Sequence, residues 1–127
     1  MNKSLDMIFD RMDVKMREEK LFLDPDMTLA GLSQRTGTNR TYASNAVCSR
    51  YRNFREYLNS LRVEHLLQDI REGICTEIDQ ADGDDFAMRY GFRSRRSLDR
   101  VLVRETGCTY LKIVRRRVGL KKQGCGR

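Results

Sequence analysis

The chain has 127 residues, of which 39% are hydrophobic and 34% charged, with one proline and a formal net charge of +7. This length is typical of one domain, and the scarcity of proline and of long β-branched runs favours helices over a sheet. No apolar run approaches the roughly 20 residues that span a bilayer, and the N-terminal segment lacks the composition of a signal peptide. We therefore expect a soluble, cytoplasmic protein that makes no membrane contact.

The charged residues are segregated along the chain. Residues 33–62 carry a net charge of +5 and residues 93–127 a net charge of +10, whereas residues 64–86 between them carry −7. Two basic segments indicate two surfaces that face phosphates, and the acidic segment is expected to face away from nucleic acid. The alternative, that charged runs only solvate helix faces, explains one segment well and the segregation poorly.

The cysteines give no indication of a metal site. Cys48, Cys75, Cys108 and Cys125 are widely separated, and His65 is the single histidine. Zinc sites usually need closely spaced ligand pairs, so we expect reduced thiols, no metal and no cofactor. The sequence also lacks a glycine-rich phosphate loop and a nucleophile–base pair. We therefore do not expect an enzyme.

The first part of the chain predicts a helix followed by two short ones. Apolar residues at helical spacing predict an amphipathic helix over about 4–20. Thr28 can cap a short helix, Gly37 can end it, and Asn39 can cap a second helix over about 40–50. A helix, a glycine turn and a capped helix within about 22 residues indicate a helix-turn-helix unit.

The longest predicted helix, 53–72, has apolar residues on more than one face. A surface helix needs only one apolar stripe, so this helix is expected to connect two subdomains. A helix of about 20 residues is about 30 Å long, close to the roughly 34 Å between successive major-groove faces on one side of B-DNA. One monomer is therefore expected to cover two groove segments about one turn apart.

The pattern of the first unit then recurs. An acidic loop is predicted over 74–85, and Asp84 or Asp85 is expected to cap a short helix that ends at Gly91. Ser94 can cap the following helix.

Two further signals complete the second unit. Gly107 can end its second helix and Thr109 can cap a last one, after which residues 118–127 are expected to be flexible. The sequence thus predicts a single all-α domain of about seven helices. Its parts are a first helix-turn-helix subdomain (4–52), a connector helix (53–72), a second subdomain (84–117) and a basic tail (118–127).

Three stretches of the sequence resemble the C-terminal DNA-binding domain of AraC/XylS-type bacterial transcription regulators. They are TLAGLSQRTGTNRTYASNAV, FREYLNSLRVEHLL and FAMRYGFRSRRSLDRVLVRETGCT. The resemblance covers roughly residues 21–117. It implies two homeodomain-like helix-turn-helix subdomains joined by one long helix, with two recognition helices reading adjacent major-groove segments of duplex DNA to regulate transcription.

The same resemblance implies partners beyond double-stranded DNA. Members of the family commonly carry an effector-binding, receiver or dimerisation domain, for which this chain has no room, and RNA polymerase is a further expected partner. The chain also departs from the family pattern: Tyr110 stands where a proline is usual, Val103 where a lysine is common, and the acidic segment 73–85 is longer. These departures leave open a second interpretation, a helix-turn-helix relic that acts as a protein-interaction module.

The resemblance places the DNA contacts on the second helix of each unit and on the basic residues around it. Asn45 could bond an adenine and Thr41 could contact a thymine methyl, whereas Asp99 could accept from a cytosine or orient Arg95 or Arg96. Solvated helix surface is the alternative for Thr41 and Ser44, and neutralisation of phosphates is the alternative for the arginines. The predicted base-contacting residues are Arg40, Thr41, Ser44, Asn45, Arg95, Arg96, Asp99 and Arg100. The predicted backbone contacts are Arg93, Arg104, Arg115 and Arg116.

Overall fold

The structure of the protein is a computed structural model that describes residues 3–76 and 82–122, with the side chains of residues 4–76 and 82–116. Within these ranges the chain is all-helical, which confirms the predicted all-α fold of about seven helices. The helices are α1 (Lys3–Glu18), α2 (Leu29–Thr36), α3 (Arg40–Cys48), α4 (Phe54–Arg71), α5 (Gly83–Arg89), α6 (Arg95–Thr106) and α7 (Tyr110–Lys122), with a 3-10 turn over Leu21–Leu23 after α1. None of the helices in the described part is long and apolar enough to cross a membrane.

The chain divides into two compact units, Met1–Leu61 (unit 1) and Arg62–Arg127 (unit 2). The division falls inside α4, and the helix predicted over 53–72 is confirmed as this one element. The two halves of α4 bury different side chains: Tyr57 and Leu61 belong to the core of unit 1, and Leu66 and Ile70 to the core of unit 2. The apolar residues of α4 lie on several faces because each half packs into a different core.

The core of unit 1 is formed by α1, α2, α3 and the first half of α4. Phe9, Met12 and Met16 lie on one face of α1 and are buried, as their spacing predicts. Tyr57 is fully buried, and its hydroxyl donates to Asp13 Oδ1 at 2.7 Å, which satisfies the one polar atom of that ring in the core. Burial raises the pKa of Tyr57 above its ordinary value.

The core of unit 2 is formed by the second half of α4 with α5, α6 and α7. Its largest fully buried side chains are Leu66, Leu98, Leu102, Tyr110, Ile70 and Val114. A polar cluster lies at the edge of this core: the Tyr90 hydroxyl donates to Asp69 Oδ2 at 2.7 Å and lies 2.9 Å from Cys75 Sγ. Burial raises the pKa of both Tyr90 and the Cys75 thiol.

Two of the predicted element boundaries are wrong. Helix α5 begins at Gly83, so Asp84 and Asp85 lie in its first turn instead of capping it, and the predicted loop ends earlier than 85. The helix dipole stabilises acidic residues in a first turn, so the acidic residues that suggested a cap are also favourable at the positions they occupy. Residues 77–81 of that loop lie outside the described residues.

Helix α7 continues to Lys122, so residues 118–122, predicted as part of a flexible basic tail over 118–127, are helical. Gly119 lies in this stretch, and one glycine inside a helix costs about 1 kcal/mol relative to alanine without ending the helix. Basic residues near the C-terminus of a helix are also favoured by its dipole. Residues 123–127 lie outside the described part.

Candidate nucleic-acid interface

Helix α3 follows α2 after a turn of three residues, and local side-chain contacts fix both helix starts. The Thr28 hydroxyl accepts from the Gly31 N–H at 3.0 Å, and Asn39 Oδ1 accepts from the Tyr42 N–H at 2.8 Å, which confirms both predicted caps. Gly37 ends α2 with φ of 74°, in the left-handed region that favours glycine.

The two sides of α3 differ in chemistry. Ala43, Ala46 and Val47 are buried in the core of unit 1. On the opposite side, Thr41 and Asn45 are exposed and Ser44 is half-buried. Residues three and four apart are neighbours on a helix surface, so these three polar side chains form one continuous patch, which we call the α3 face. Arg40, at the first position of the helix, is also exposed.

Sequence reasoning missed an aromatic residue next to the α3 face. Tyr42 is 54% exposed, so a large aromatic side chain is in contact with solvent. Tyr42 stands between Thr41 and Ala43, near the start of the helix that Asn39 caps, and this position is the sequence signal that could have identified Tyr42. Cys48, one turn beyond Asn45, is exposed as well and is a free cysteine.

Helix α6 begins with a related set of contacts. Gly91 has φ of 90°, and the Ser94 hydroxyl accepts from the Ser97 N–H at 3.1 Å, which confirms the cap predicted at Ser94. A second acceptor comes from α5, since Asp84 Oδ1 accepts from the Arg95 N–H at 2.8 Å. Two of the backbone donors at the start of α6 are therefore bound by side chains of this chain.

The two sides of α6 also differ. Leu98, Val101 and Leu102 are buried, whereas Arg96 and Arg100, one turn apart, are exposed. Val103 is 47% exposed, and its spacing of three residues from Arg100 places it beside the arginines. We call Arg96, Arg100 and Val103 the α6 face.

Arg95 and Asp99, the other two residues predicted to contact bases in α6, are turned toward the protein. The Arg95 guanidinium lies over the Tyr110 ring, 5.3 Å from its centroid, and Arg95 Nε lies 3.3 Å from Asp99 Oδ2. The other oxygen of this carboxylate, Asp99 Oδ1, accepts from the Tyr110 N–H at 2.8 Å. Of the two arginines that Asp99 was expected to orient, it contacts Arg95.

The predicted backbone contacts lie around α6 and on α7. Arg93 precedes α6, Arg104 lies near its end, and Arg115 and Arg116 are on α7; all four are exposed. Arg115 and Arg116 line a shallow cavity of about 440 Å³ together with Thr109, Leu111 and Lys112. Arg116 Nη1 lies 3.6 Å from Cys108 Sγ. Three cations around one cavity favour an anionic group there.

Comparison with known proteins adds no relative. No protein-family model, curated protein or solved structure matches the chain. Within the part of the chain that the structure describes, no group of three or more His, Cys, Asp or Glu side chains could hold a metal ion.

Proposed function

We propose that the protein binds duplex DNA sequence-specifically and regulates transcription as an AraC/XylS-type regulator, with α2–α3 and α5–α6 as two helix-turn-helix units. The observation that carries the proposal is an arrangement that occurs twice. A glycine with positive φ (Gly37 or Gly91) precedes a helix with a side-chain cap, and this helix buries one apolar side and exposes a polar or basic one. A recognition helix needs two different sides, because one side must hold it on its domain while the other enters the major groove.

In unit 1, the α3 face would read bases with short, uncharged side chains. An asparagine amide can donate to and accept from an adenine edge, so Asn45 is assigned to an A·T pair. Thr41 offers a methyl group to thymine and a hydroxyl that can bond a donor or an acceptor on a base edge. Ser44 offers a hydroxyl alone. Arg40, at the N-terminal end, would contact a base or the neighbouring phosphate.

In unit 2, the α6 face would read bases with arginines. A guanidinium donates two parallel hydrogen bonds to guanine O6 and N7, so Arg96 and Arg100 are each assigned to a G·C pair. Val103 would contact a thymine methyl. Arg93, Arg104, Arg115 and Arg116 would neutralise phosphates and set the register of the helix on the duplex.

The proposed regulator would also have partners other than DNA. RNA polymerase, or a separate effector, receiver or dimerisation domain, would supply the signal or the output. DNA binding by this mechanism needs neither a cofactor nor a catalytic residue, and a transcription regulator of bacterial type would work in the cytoplasm.

The salt dependence of binding to duplex DNA tests this proposal. In fluorescence anisotropy with mixed-sequence duplexes, each neutralised phosphate should add about 0.9 to the slope of log affinity against log salt. The four backbone arginines, if all engaged, therefore predict a slope of at least about 3 to 4 in magnitude. Binding that does not change with salt, or no binding at low salt, would falsify the proposal.

Base preference is tested with selected binding sites. Asn45→Ala and Arg96→Ala should each relax the preference at a different position, with a loss of about 1–3 kcal/mol at the cognate base. Arg11→Ala is the matched control, because Arg11 is an exposed arginine on α1, outside both faces. A variant that weakens all sequences equally identifies its residue as a backbone contact.

A second candidate function, a protein-interaction module, is favoured by two features of α6. Its first N–H is bound by the Asp84 carboxylate, and its exposed face includes the apolar Val103. An acidic group at a helix start repels phosphate, and an exposed apolar side chain is typical of protein interfaces. Salt-insensitive binding to a protein, without affinity for DNA, would favour this candidate.

A further inference from the structure

Arg95 is held by contacts from three directions. Asp84 binds its backbone N–H, the Asp99 carboxylate lies beside Nε, and the Tyr110 ring lies against its guanidinium. Gly83 leaves the space for this arrangement, since a Cβ at that position would lie 3.3 Å from Arg95 Cβ and 3.5 Å from Nη1. The backbone and the side chain of Arg95 are therefore both positioned by neighbours.

The side chain of Arg95 differs from its neighbours in accessibility. It is 23% exposed, and its Nε atom is buried without a hydrogen-bond partner of good geometry, although Asp99 Oδ2 lies at ion-pair distance. Arg96 and Arg100, on the same helix, are exposed. A guanidinium that reads guanine must present two donors to the groove, which the exposed pair can do without first breaking an ion pair.

Asp99 is suited to hold both Arg95 and α7. One oxygen accepts the first N–H of α7, from Tyr110, and the other faces Arg95 Nε. The ring that lies against the Arg95 guanidinium belongs to the same Tyr110. The Asp99 carboxylate therefore fixes both the start of α7 and the arginine that packs on Tyr110.

We propose that Asp99 is a positioning residue that holds Arg95 against Tyr110 and withholds it from DNA, so that unit 2 reads bases with Arg96 and Arg100. This inference rests on the proposed DNA-binding function, and it reassigns two residues of the sequence-based interface. Arg95 and Asp99 pack with each other and with Tyr110, and they contact neither base nor phosphate.

Asp99→Asn separates the two roles of the carboxylate. The amide oxygen can still accept the Tyr110 N–H, whereas the uncharged side chain no longer pairs with the guanidinium. The matched control is Asp85→Asn, which removes the same charge from an exposed position on α5. In anisotropy titrations on mixed-sequence DNA, Asp99→Asn should steepen the salt slope by about 0.9, because the released Arg95 neutralises one more phosphate, and Asp85→Asn should not.

Arg95→Ala gives the converse measurement. Because the wild-type side chain is withheld, this variant should leave the salt slope and the base preference of the full chain unchanged, in contrast to Arg96→Ala. A slope that falls by about 0.9 would show that Arg95 contacts phosphate, and a preference lost at one base pair would show that it reads a base. Either result overturns the proposal, as does an Asp99→Asn slope equal to that of Asp85→Asn.

A measurement without DNA distinguishes failure of this inference from failure of the proposed function. In ¹⁵N NMR spectra of the free protein, the Arg95 Nε–H should give a resolved signal that exchanges slowly with water, and Asp99→Asn should accelerate this exchange. Fast exchange in the wild-type protein overturns the proposal, whatever the DNA affinity. Absence of DNA binding together with a protected Arg95 signal would refute the DNA-binding function and leave Asp99 with its structural contacts alone.

Discussion

Replacement of Gly37 by alanine tests whether the turn between α2 and α3 depends on a left-handed residue. Gly37 has φ of 74°, and no atom beyond its two chain neighbours lies within 4 Å of the place where a Cβ would be added. The substitution therefore meets no steric obstacle from the rest of the protein. Any loss of stability must come from the backbone conformation itself.

The expected cost follows from two opposing effects. A left-handed conformation costs an L-residue roughly 1–2 kcal/mol, because Cβ approaches the following carbonyl oxygen. Alanine also restricts the unfolded chain, and this restriction returns about 0.4–1 kcal/mol of stability where the native conformation is compatible. Gly37→Ala should therefore lower the free energy of unfolding by about 1 kcal/mol.

The matched control is Gly31→Ala, the same chemical change inside α2. The helical backbone at this position suits alanine, which is about 0.5–1 kcal/mol better than glycine in a helix. The added Cβ would lie 3.3 Å from Thr28 Oγ1, so part of this gain is offset by a small shift of the cap. Gly31→Ala should thus be neutral or stabilising.

Urea unfolding followed by circular dichroism measures both variants. With m of about 1–3 kcal/mol/M, the loss at Gly37 corresponds to a midpoint lower by about 0.3–1 M. Equal midpoints for Gly37→Ala and the wild type, or a larger loss at Gly31 than at Gly37, would refute the reasoning. The DNA affinity of Gly37→Ala, measured where it remains folded, then reports whether the turn also orients α3.

Three further outcomes are expected. Burial raises the pKa of Tyr57, Tyr90 and Tyr110, so the unfolded chain loses these phenol protons at a lower pH than the folded protein does. The free energy of unfolding should therefore fall above about pH 10, by up to about 1.4 kcal/mol per pH unit per tyrosine. Urea titrations between pH 8 and 11 that give a constant value contradict this. Tyr57→Phe should cost about 1.5–3 kcal/mol in urea unfolding, because it removes the hydrogen bond to the Asp13 carboxylate, and a neutral effect would show that this bond contributes nothing. Ser94→Ala should cost about 1 kcal/mol by loss of the α6 cap, whereas Ser94→Asp should retain most of the stability; equal losses would argue against capping.

The local features of the fold could be predicted from the sequence because they depend on neighbouring residues. Thr28, Asn39 and Ser94 cap helices by bonding an N–H three residues later, so the residue type and its position before an apolar pattern are sufficient evidence. The buried sides of α3 and α6 follow from helical spacing in the same way. The polar and basic faces opposite them could be identified for the same reason.

Contacts between distant residues could not be predicted in this way. Asp84 or Asp85 was expected to cap α5, yet the Asp84 side chain binds Arg95, eleven residues away and on the next helix. The withdrawal of Arg95 and Asp99 depends on where Tyr110 lies, which spacing within α6 does not reveal. A helical pattern shows which side of α6 is outward, but not which outward arginine is already bound by a neighbouring element.

The net charge of the basic segments likewise does not show which of their arginines are paired within the protein. In residues 33–62, Arg50 lies 3.4 Å from Asp6 Oδ1 and packs on the Phe9 ring, and Arg52 lies 3.9 Å from Glu56 Oε2. The charge that this segment shows in the sequence is therefore partly compensated within unit 1, and the α3 face beside it is uncharged.

In unit 2, Arg95 is paired with Asp99, whereas Arg96 and Arg100 are exposed together on α6. Long-range attraction to phosphates scales with uncompensated charge, whereas hydrogen bonds to base edges need no net charge. If both units bind DNA, most of the salt dependence should therefore arise from unit 2, and substitutions in the α3 face should change base preference while leaving the salt slope unchanged.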